Sequence, residues 1–416
     1  MNVDPAPRAV SFCQELVRLE SLSGREGAVA AAVEREMAAL GYDEVRRDEL
    51  GSVVGVVRAP RRRGGAGAGP GGGAAAAGAE AAGAAAAGVA AGPAPVGVLF
   101  DAHMDVVPAT QPEAWRFPPF SGERAESRVW GRGATDVKGS LAALVVAVGT
   151  LDRNRLAGDV VVSAGVGEEL VEGLAVTQVL ERHAPRAAVV CEPTGLRLGL
   201  GHRGRASLVV EAAGKAAHTS RPENGVNAVY RLTEAIARVR AMPRRPDPLL
   251  GEGLIELVEI SSQPFPGSSM VPYHATARFD RRLVRSETRD GVLEEMRAAL
   301  AGLAGISVSL HQGRLSCYTG AVFTVEAFHP GWAVEAGSEV ARRAVAALRD
   351  AGLAHDTFYA PYCTNASATA GERGIPTLLY GAGEIDAAHA VDESVGEADL
   401  AAACRGYQAL ALGLSG

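Results

Sequence analysis

The sequence predicts an α/β protein with a second α/β unit inserted into it. Apolar strand-like runs alternate with helical stretches, polar residues cluster just beyond those runs, and the middle of the chain has its own β-α-β-β-α-β succession. At roughly 100 to 200 residues per domain, 416 residues suffice for two or three domains with ample core.

Near the start, Val10, Cys13, Leu16 and Val17 recur at helical spacing, and Val29, Val33, Met37 and Leu40 mark a second helix. Ser23 and Glu26 read as an S-x-x-E capping box opening that helix, and Gly41 is placed to end it. A strand is expected around Gly51 to Val57. Residues 61–95 are almost wholly Gly, Ala, Pro and Arg, too poor in bulky apolar side chains to offset ordering entropy, and read as a disordered surface loop. Repeated Gly and Pro argue against an alanine-rich helix there.

From Val96 the α/β alternation begins. Val96 to Phe100 leads into DAHMD, Leu141 to Val148 reads as a buried helix, Val160 to Ala164 leads into GVGEE, and Ala187 to Val190 leads into CEPT. Polar clusters at the carboxyl ends of strands are where such folds place their sites. The inserted unit has strands at Leu208 to Val210, Leu254 to Ile260, Ala275 to Phe279 and Ile306 to Leu310. Its helices carry Val226, Val229, Tyr230, Thr233 and Ile236, then Val292, Met296, Leu300 and Leu303. This is the order of a ferredoxin-like split βαβ. Helices around Ala333 to Leu348 and Leu400 to Leu414 and a strand at Thr377 to Tyr380 then resume the first domain. The division is therefore 1–204, 205–314 and 315–416, with the first and last segments forming one discontinuous domain.

Composition narrows the partners. With 41 basic against 48 acidic residues, a formal charge of −7 and 5% aromatics, no large positive field exists to hold nucleic acid or an anionic membrane, so a small-molecule partner is expected. The five cysteines are far apart with no C-x-x-C pair, which suggests neither a disulfide framework nor a thiolate zinc site. The N-terminal residues show no apolar signal region, and no membrane-spanning apolar run of about 18 residues appears, so a cytoplasmic location is expected.

The chemistry concentrates in the polar clusters. In His103-Met104-Asp105 the two polar residues share one side of a strand, so Asp105 can accept a hydrogen bond from the His103 nitrogen that faces away from a metal. Asp136 lies in the Gly-rich GRGATDVKGS, whose spacing is not that of a phosphate-binding P-loop. Lys138, one of only two lysines, lies two residues beyond it. Glu168 and Glu169 adjoin at a strand end, where two carboxylates repel unless a cation or proton is shared. Glu192 and His389 complete a set of nitrogen and oxygen donors without thiolates. Such donors suit zinc, cobalt or manganese, and a carboxylate can bridge two ions about 3.5 to 4 Å apart.

HMD at 103–105, GRGATDVKG at 131–139, GEE at 167–169, CEPT at 191–194, AAHTSRPENGVNA at 216–228 and the late AAHAVDE together resemble the dizinc aminoacylase and carboxypeptidase family. That family includes acetylornithine deacetylase, succinyl-diaminopimelate desuccinylase and glutamate carboxypeptidase. The resemblance implies a mixed-sheet, dizinc peptidase-like catalytic domain with an inserted ferredoxin-like lid and dimerisation domain. It implies two divalent ions per subunit, zinc foremost, with Asp136 bridging, His103 and Glu192 completing one site, and Glu169 and His389 the other. Glu168 becomes the general base, Asp105 orients His103, and the bond after Asp136 is expected to be a non-proline cis peptide.

The same resemblance has His218 reaching the partner subunit's site in a homodimer to hold the oxyanion, a contribution of about 2.7 to 4 kcal/mol. Arg282, or Arg281 beside it, grips a substrate carboxylate, and Asn365 lines the pocket. The activity implied is hydrolysis of an amide in an N-acyl amino acid, small peptide or related carboxylate-bearing amide by activated water. The alternatives are a non-hydrolytic or decarbamoylating relative and a non-catalytic metal-binding scaffold. Ser269-Met270-Val271-Pro272, where relatives often carry N-x-x-P, and GHRGR at 201–205 with His202, where relatives often carry lysine, point to the branch containing YgeY-type hydrolases. His183, His274, His311, His329 and His355 lack a ligand-like context and read as structural or exposed.

Overall fold

Val53–Val57 and Val160–Gly165 are apolar or small at almost every position, and both strands are buried throughout, as expected of strands covered on both faces. They belong to a nine-stranded mixed sheet in a computed structural model that describes residues 4–60, 94–267 and 269–416. At its centre Ala94–His103 lies between Val160–Gly165 and His183–Val190, parallel to both. Thr377–Leu379 continues parallel to His183–Val190, while Glu44–Arg47 and Val53–Val57 form an antiparallel edge.

Successive strand residues serve opposite faces. Val53, Val57, Val98 and Phe100 join a core with helices Ala6–Arg18, Gly27–Ala39, Gly139–Thr150 and Glu397–Leu414. Val54, Val56, Leu99 and Val161 pack against Val176, Val179 and Leu180 of helix Leu174–Leu180. Burying a side chain of this size contributes about 1.5 to 3 kcal/mol relative to exposure, so a charge on either face would be expelled. Gly139–Thr150 is buried from Gly139 to Val148, which explains why its sequence lacks a polar stripe.

Gly204–Ala213, Leu254–Gln263, His274–Leu283 and Ile306–Leu310 form most of a second, five-stranded sheet, ordered Leu254–Gln263, His274–Leu283, Gly204–Ala213, Ile306–Leu310, with Phe328–His329 also pairing with Gly204–Ala213 and every pair antiparallel. That is the strand order of a split βαβ unit. Helices Ala228–Arg240 and Arg289–Ala299 cover one face of it and share a separate apolar core with Leu208, Val210, Ala277 and Phe279. Burial alternates along His274–Leu283, so Asp280 and Arg282 sit on the face opposite Phe279 and Arg281.

Several local expectations change. The second helix has no capping box: no side chain caps it, Ser23 Oγ donates to Asp105 Oδ2 at 2.7 Å, and Glu26 Oε1 accepts from the Gly24 and Gly167 amides. Gly41 does end that helix, at φ +73°, with Gly41 N–H on Ala38 O and Tyr42 N–H on Met37 O in a Schellman turn. The strand Glu44–Arg47, which has no apolar alternation, was not foreseen. The expected loop at 61–95 falls largely outside the described residues, but positions 94 and 95 already belong to Ala94–His103. Helix Glu339–Asp350 begins later than Ala333, because Trp332–Ala333 pairs with Leu198–His202. In Ala228–Arg240 the buried face is Ala228, Leu232, Ala235 and Val239, whereas Tyr230 is 76% exposed. Small alanines, which periodicity counts weakly, are what fit closely over that sheet.

Candidate metal centre and active site

Because Val160–Gly165, Ala94–His103 and His183–Val190 are adjacent and parallel, their carboxyl ends open at one edge of the sheet. His103 ends the central strand, Glu168 and Glu169 follow one neighbour, and Glu192 follows the other. Asp136 comes from the Gly-rich turn before Gly139–Thr150, and His389 from the long segment between Thr377–Leu379 and Glu397–Leu414.

These side chains form two groups. His103, Asp136 and Glu192 offer ligand atoms within 4.8 Å of one another, and so do Asp136, Glu169 and His389. Asp136 belongs to both, using different oxygens: Oδ1 is 3.1 Å from His103 Nε2, and Oδ2 is 3.3 Å from His389 Nε2. His389 Nε2 is also 3.2 Å from Glu169 Oε1. Ligands about 2.0 to 2.1 Å from a tetrahedral ion lie about 3.3 Å apart, so these spacings suit a divalent ion in each group. The Asp136–Val137 peptide is cis.

The electrostatics point the same way. Burial, reinforced by Glu192 and Glu169, raises the pKa of Glu168 well above the carboxylate range, and burial pushes Glu192 up to about 8. Hydrogen bonds to Asp136 and Glu169 raise His389 to about 10. Burial alone would lower His103, but Asp136, Glu168 and Glu192 override it and raise it. Four carboxylates thus gather with only two imidazoles to offset them, an imbalance that bound cations would relieve.

Asp105 acts differently from the sequence expectation. His103 Nδ1 is 3.0 Å from the Asp105 main-chain carbonyl oxygen, whereas the nearer carboxylate oxygen is 3.6 Å away. The carboxylate instead accepts the amides of Glu168 and Glu169, each at 3.1 Å, and the Ser23 hydroxyl. Asp105 therefore turns the His103 Nε2 toward Asp136 through its backbone and holds the Glu168-Glu169 loop through its side chain. Asn365, expected in the pocket, is 2% exposed: its Nδ2 donates to Asp101 Oδ2 at 2.8 Å and its Oδ1 accepts from Gly173 N at 2.6 Å. With its amide committed on both sides it braces the strand leading to His103, and its pocket role is withdrawn.

Arg281 and Arg282 separate cleanly. Arg281 is buried against Glu287 and Glu295, so it holds the fold. Arg282, on the opposite face, is half-buried and pairs at 2.9 Å with Asp280 Oδ1. His218 is exposed and hydrogen-bonds Ser220 at 2.7 Å, with no bond to either triad among the described residues.

Two supporting residues were missed. Glu393 is fully buried; its Oε1 accepts the amides of Thr135 and Asp136 at 2.9 Å each, and its Oε2 is 2.5 Å from Arg132 Nη1. Arg132, equally buried, also donates to the His389 carbonyl at 3.3 Å and lies over the Trp115 ring. The pair joins the Asp136 turn to the His389 loop. Glu393 stands in AAHAVDE and Arg132 in GRGATDVKG, but neither spacing shows that they meet. Lys138 turns away from the triads, donating to the Leu19 carbonyl at 2.7 Å.

A strand-end site with two donor triads sharing one carboxylate is the arrangement of a two-metal centre, and with the family match that follows the protein is a metal-dependent hydrolase in class. The family described as Peptidase family M20/M25/M40 matches residues 99–413, and the chain belongs to it. The YgeY protein of Escherichia coli (strain K12) is 28% identical over 413 residues, covering 96% of this chain and 93% of its own length. A succinyl-diaminopimelate desuccinylase of Rhodospirillum centenum (strain ATCC 51521 / SW) is 33% identical over 50% of this chain and 56% of its own. Among solved structures, the aminopeptidase PepT from Bacillus cereus ATCC 10987 superposes with a TM-score of 0.69 over 99% of both chains at 19% identity, a likeness of fold.

Proposed function

We propose that the protein hydrolyses an amide bond in an N-acyl amino acid, small peptide or related amide that carries a free carboxylate. The observation that carries this reading is the division of Asp136 between two triads, one oxygen toward His103 and the other toward His389, with Glu168 buried nearby in neither triad. His103, Asp136 and Glu192 would hold one divalent ion, and Asp136, Glu169 and His389 the second; zinc suits these donors, as do cobalt and manganese. Such ions, when bound, supply Lewis-acid activation of water and of the scissile carbonyl.

Glu168 takes the proton of the attacking water and returns it to the leaving amine nitrogen. Burial favours this work, because a carboxylate kept basic can accept a proton near neutral pH. The Asp105 carboxylate fixes Glu168 through its backbone amide, so the base does not wander from the cleft. Arg282 offers its guanidinium to the substrate carboxylate, for which a planar fork of donors is suited.

His218 serves the site of a second subunit, holding the oxygen that becomes negative in the tetrahedral intermediate. Its exposure and lack of bonds to the triads support that reading, as does the apolar edge of Leu254–Gln263, where Val258 and Ile260 are 53% and 56% exposed. The inserted unit then serves as both lid and dimer contact. A relative named for removing succinyl groups places succinylated amino acids among the substrates to try.

The test is a hydrolysis screen of acetyl, succinyl, formyl and carbamoyl amino acids and dipeptides with zinc, cobalt and manganese. It is followed by mixing inactive Glu168→Gln and His218→Ala proteins. Cleavage of carboxylate-bearing amides is expected, with activity partly restored on mixing. No hydrolysis of any amide would sink the reading, and no rescue despite demonstrated subunit exchange would remove the shared site.

A further inference from the structure

The inserted unit is joined to the rest of the chain by two connections that run side by side. The chain enters at Gly204; after Ile306–Leu310 it leaves through the hairpin of Gln312–Ser316 and Val322–Glu326, whose Leu315 joins the core of the first domain, and Phe328–His329 then runs back beside the entry, pairing with Ala206 and Arg205. A Cβ at Gly204 would lie 2.3 Å from both the His329 carbonyl oxygen and the Gly331 amide, so only glycine allows the two backbones to pass this closely. One carboxylate from outside the unit grips both. Glu172, three residues beyond Glu169, accepts from Arg205 Nη1 at 2.7 Å through Oε1, and its Oε2 is 3.2 Å from His329 Nε2.

The contact continues across the second sheet. Arg205 Nε donates to Asp280 Oδ2 at 2.9 Å, and Asp280 Oδ1 is 2.9 Å from Arg282 Nε. Arg205 and Arg282 are cross-strand partners, with Asp280 between their head groups. Burial alone would raise the pKa of Glu172, but His329 and Arg205 outweigh it and hold the carboxyl below its usual range. The result is a continuous run of ion pairs from the Glu168-Glu169 loop to Arg282, in which Glu172–Arg205 and Arg205–Asp280 are also charge-assisted hydrogen bonds.

We propose that Glu172 is a positioning residue: by holding Arg205 and His329 it seats the inserted unit on the Glu168-Glu169 loop, and through Asp280 it sets where Arg282 presents its guanidinium. Glu172 touches neither substrate nor ion in this role. It governs selection of substrates with a free carboxylate, and so rests on the reading of Arg282 given above.

The experiment measures kcat and KM of the metal-loaded full-length enzyme for an N-acyl amino acid and its carboxamide analogue. The proteins compared are the native enzyme, Glu172→Gln, Glu172→Asp, Arg282→Ala and the Glu172→Gln/Arg282→Ala double variant, each with its metal content. Glu172→Gln should lower the carboxylate-over-carboxamide preference about tenfold, mainly through KM, the scale of one hydrogen bond to a charged group. Metal content should hold, Glu172→Asp should restore part of the preference, and the double variant should show no less preference than Arg282→Ala alone. Equal losses on both substrates, loss of metal, or multiplying effects in the double variant would each overturn the proposal. If Glu172→Gln does not fold, Arg205→Gln, at a more exposed residue, breaks the same run and must give the same loss of preference. An Arg282→Ala enzyme that still prefers the carboxylate would instead overturn the reading of Arg282, a distinct failure.

Discussion

The two triads share Asp136 but are built differently. His103 and Glu192 lie at the ends of adjacent central strands and are almost wholly buried, so their positions follow from the sheet. Glu169 and His389 sit on loops; the His389 side chain is half exposed, its φ is +60°, and it depends on Arg132 and Glu393 for support. The contrast teaches that one triad inherits its rigidity from secondary structure, while the other has to be braced by buried side chains. A ligand set carried on loops, with a half-exposed histidine, should release its ion more readily.

The largest expected effect removes the contrast altogether. Asp136→Asn takes the shared charge from both triads, so metal content measured by elemental analysis should fall toward zero and turnover by on the order of a thousandfold or more. Next, the two histidines should separate the triads. His389→Ala should keep about one ion of two with little change in fold stability. His103→Ala should lose the ion of the buried triad and also destabilise the folded protein by about 3 kcal/mol in denaturant titration, because Asp136 and Glu192 lose their buried counter-charge. Equal stability losses from the two variants would mean that the two triads do not differ in this way.

A smaller effect tests the bracing. Glu393→Gln should weaken the affinity of the loop-borne triad about 10- to 100-fold in metal titration while the buried triad changes less. Parallel losses at both would show that Glu393 serves the Asp136 turn alone.

The smallest effect lies outside both triads. His202 is fully buried, its Nδ1 is 2.9 Å from the Arg203 carbonyl and its ring meets Trp332 edge-on; burial lowers its pKa to about 4. The unfolded chain takes up a proton near pH 6.5 and the folded chain refuses it until about pH 4. The stability from neutral His202 is therefore complete above about 6.5 and lost as pH falls toward 4. Between about pH 7 and 5 that component is on the order of 2 kcal/mol, and His202→Gln should remove it from the pH dependence of the urea midpoint.

Much of the site was legible in the sequence because each ligand follows an apolar run or a glycine turn. His103, Glu168, Glu169 and Glu192 end strand-like segments, and polar residues at strand ends are visible without a fold. Arg282 was legible only as one of two adjacent arginines, and alternation along His274–Leu283 turns one inward and the other outward. Asn365 was read in the wrong capacity, and Asp105 meets His103 through its main-chain carbonyl rather than its carboxylate, because which polar atom meets which depends on side-chain reach across strands. Glu393 and Arg132 are 261 residues apart in the chain, and neither sits at a ligand spacing.

The sequence by itself determined the α/β alternation, the inserted split βαβ order and the donor residues, since these follow from local periodicity and from polar residues placed after apolar runs. The tertiary structure decided how Asp136 divides its oxygens, which arginine faces outward, and which buried charges brace the loops. The bracing pairs join segments far apart in the chain, Arg132 with Glu393 and Asn365 with Asp101, and only burial in a shared low-dielectric interior makes such pairs obligatory.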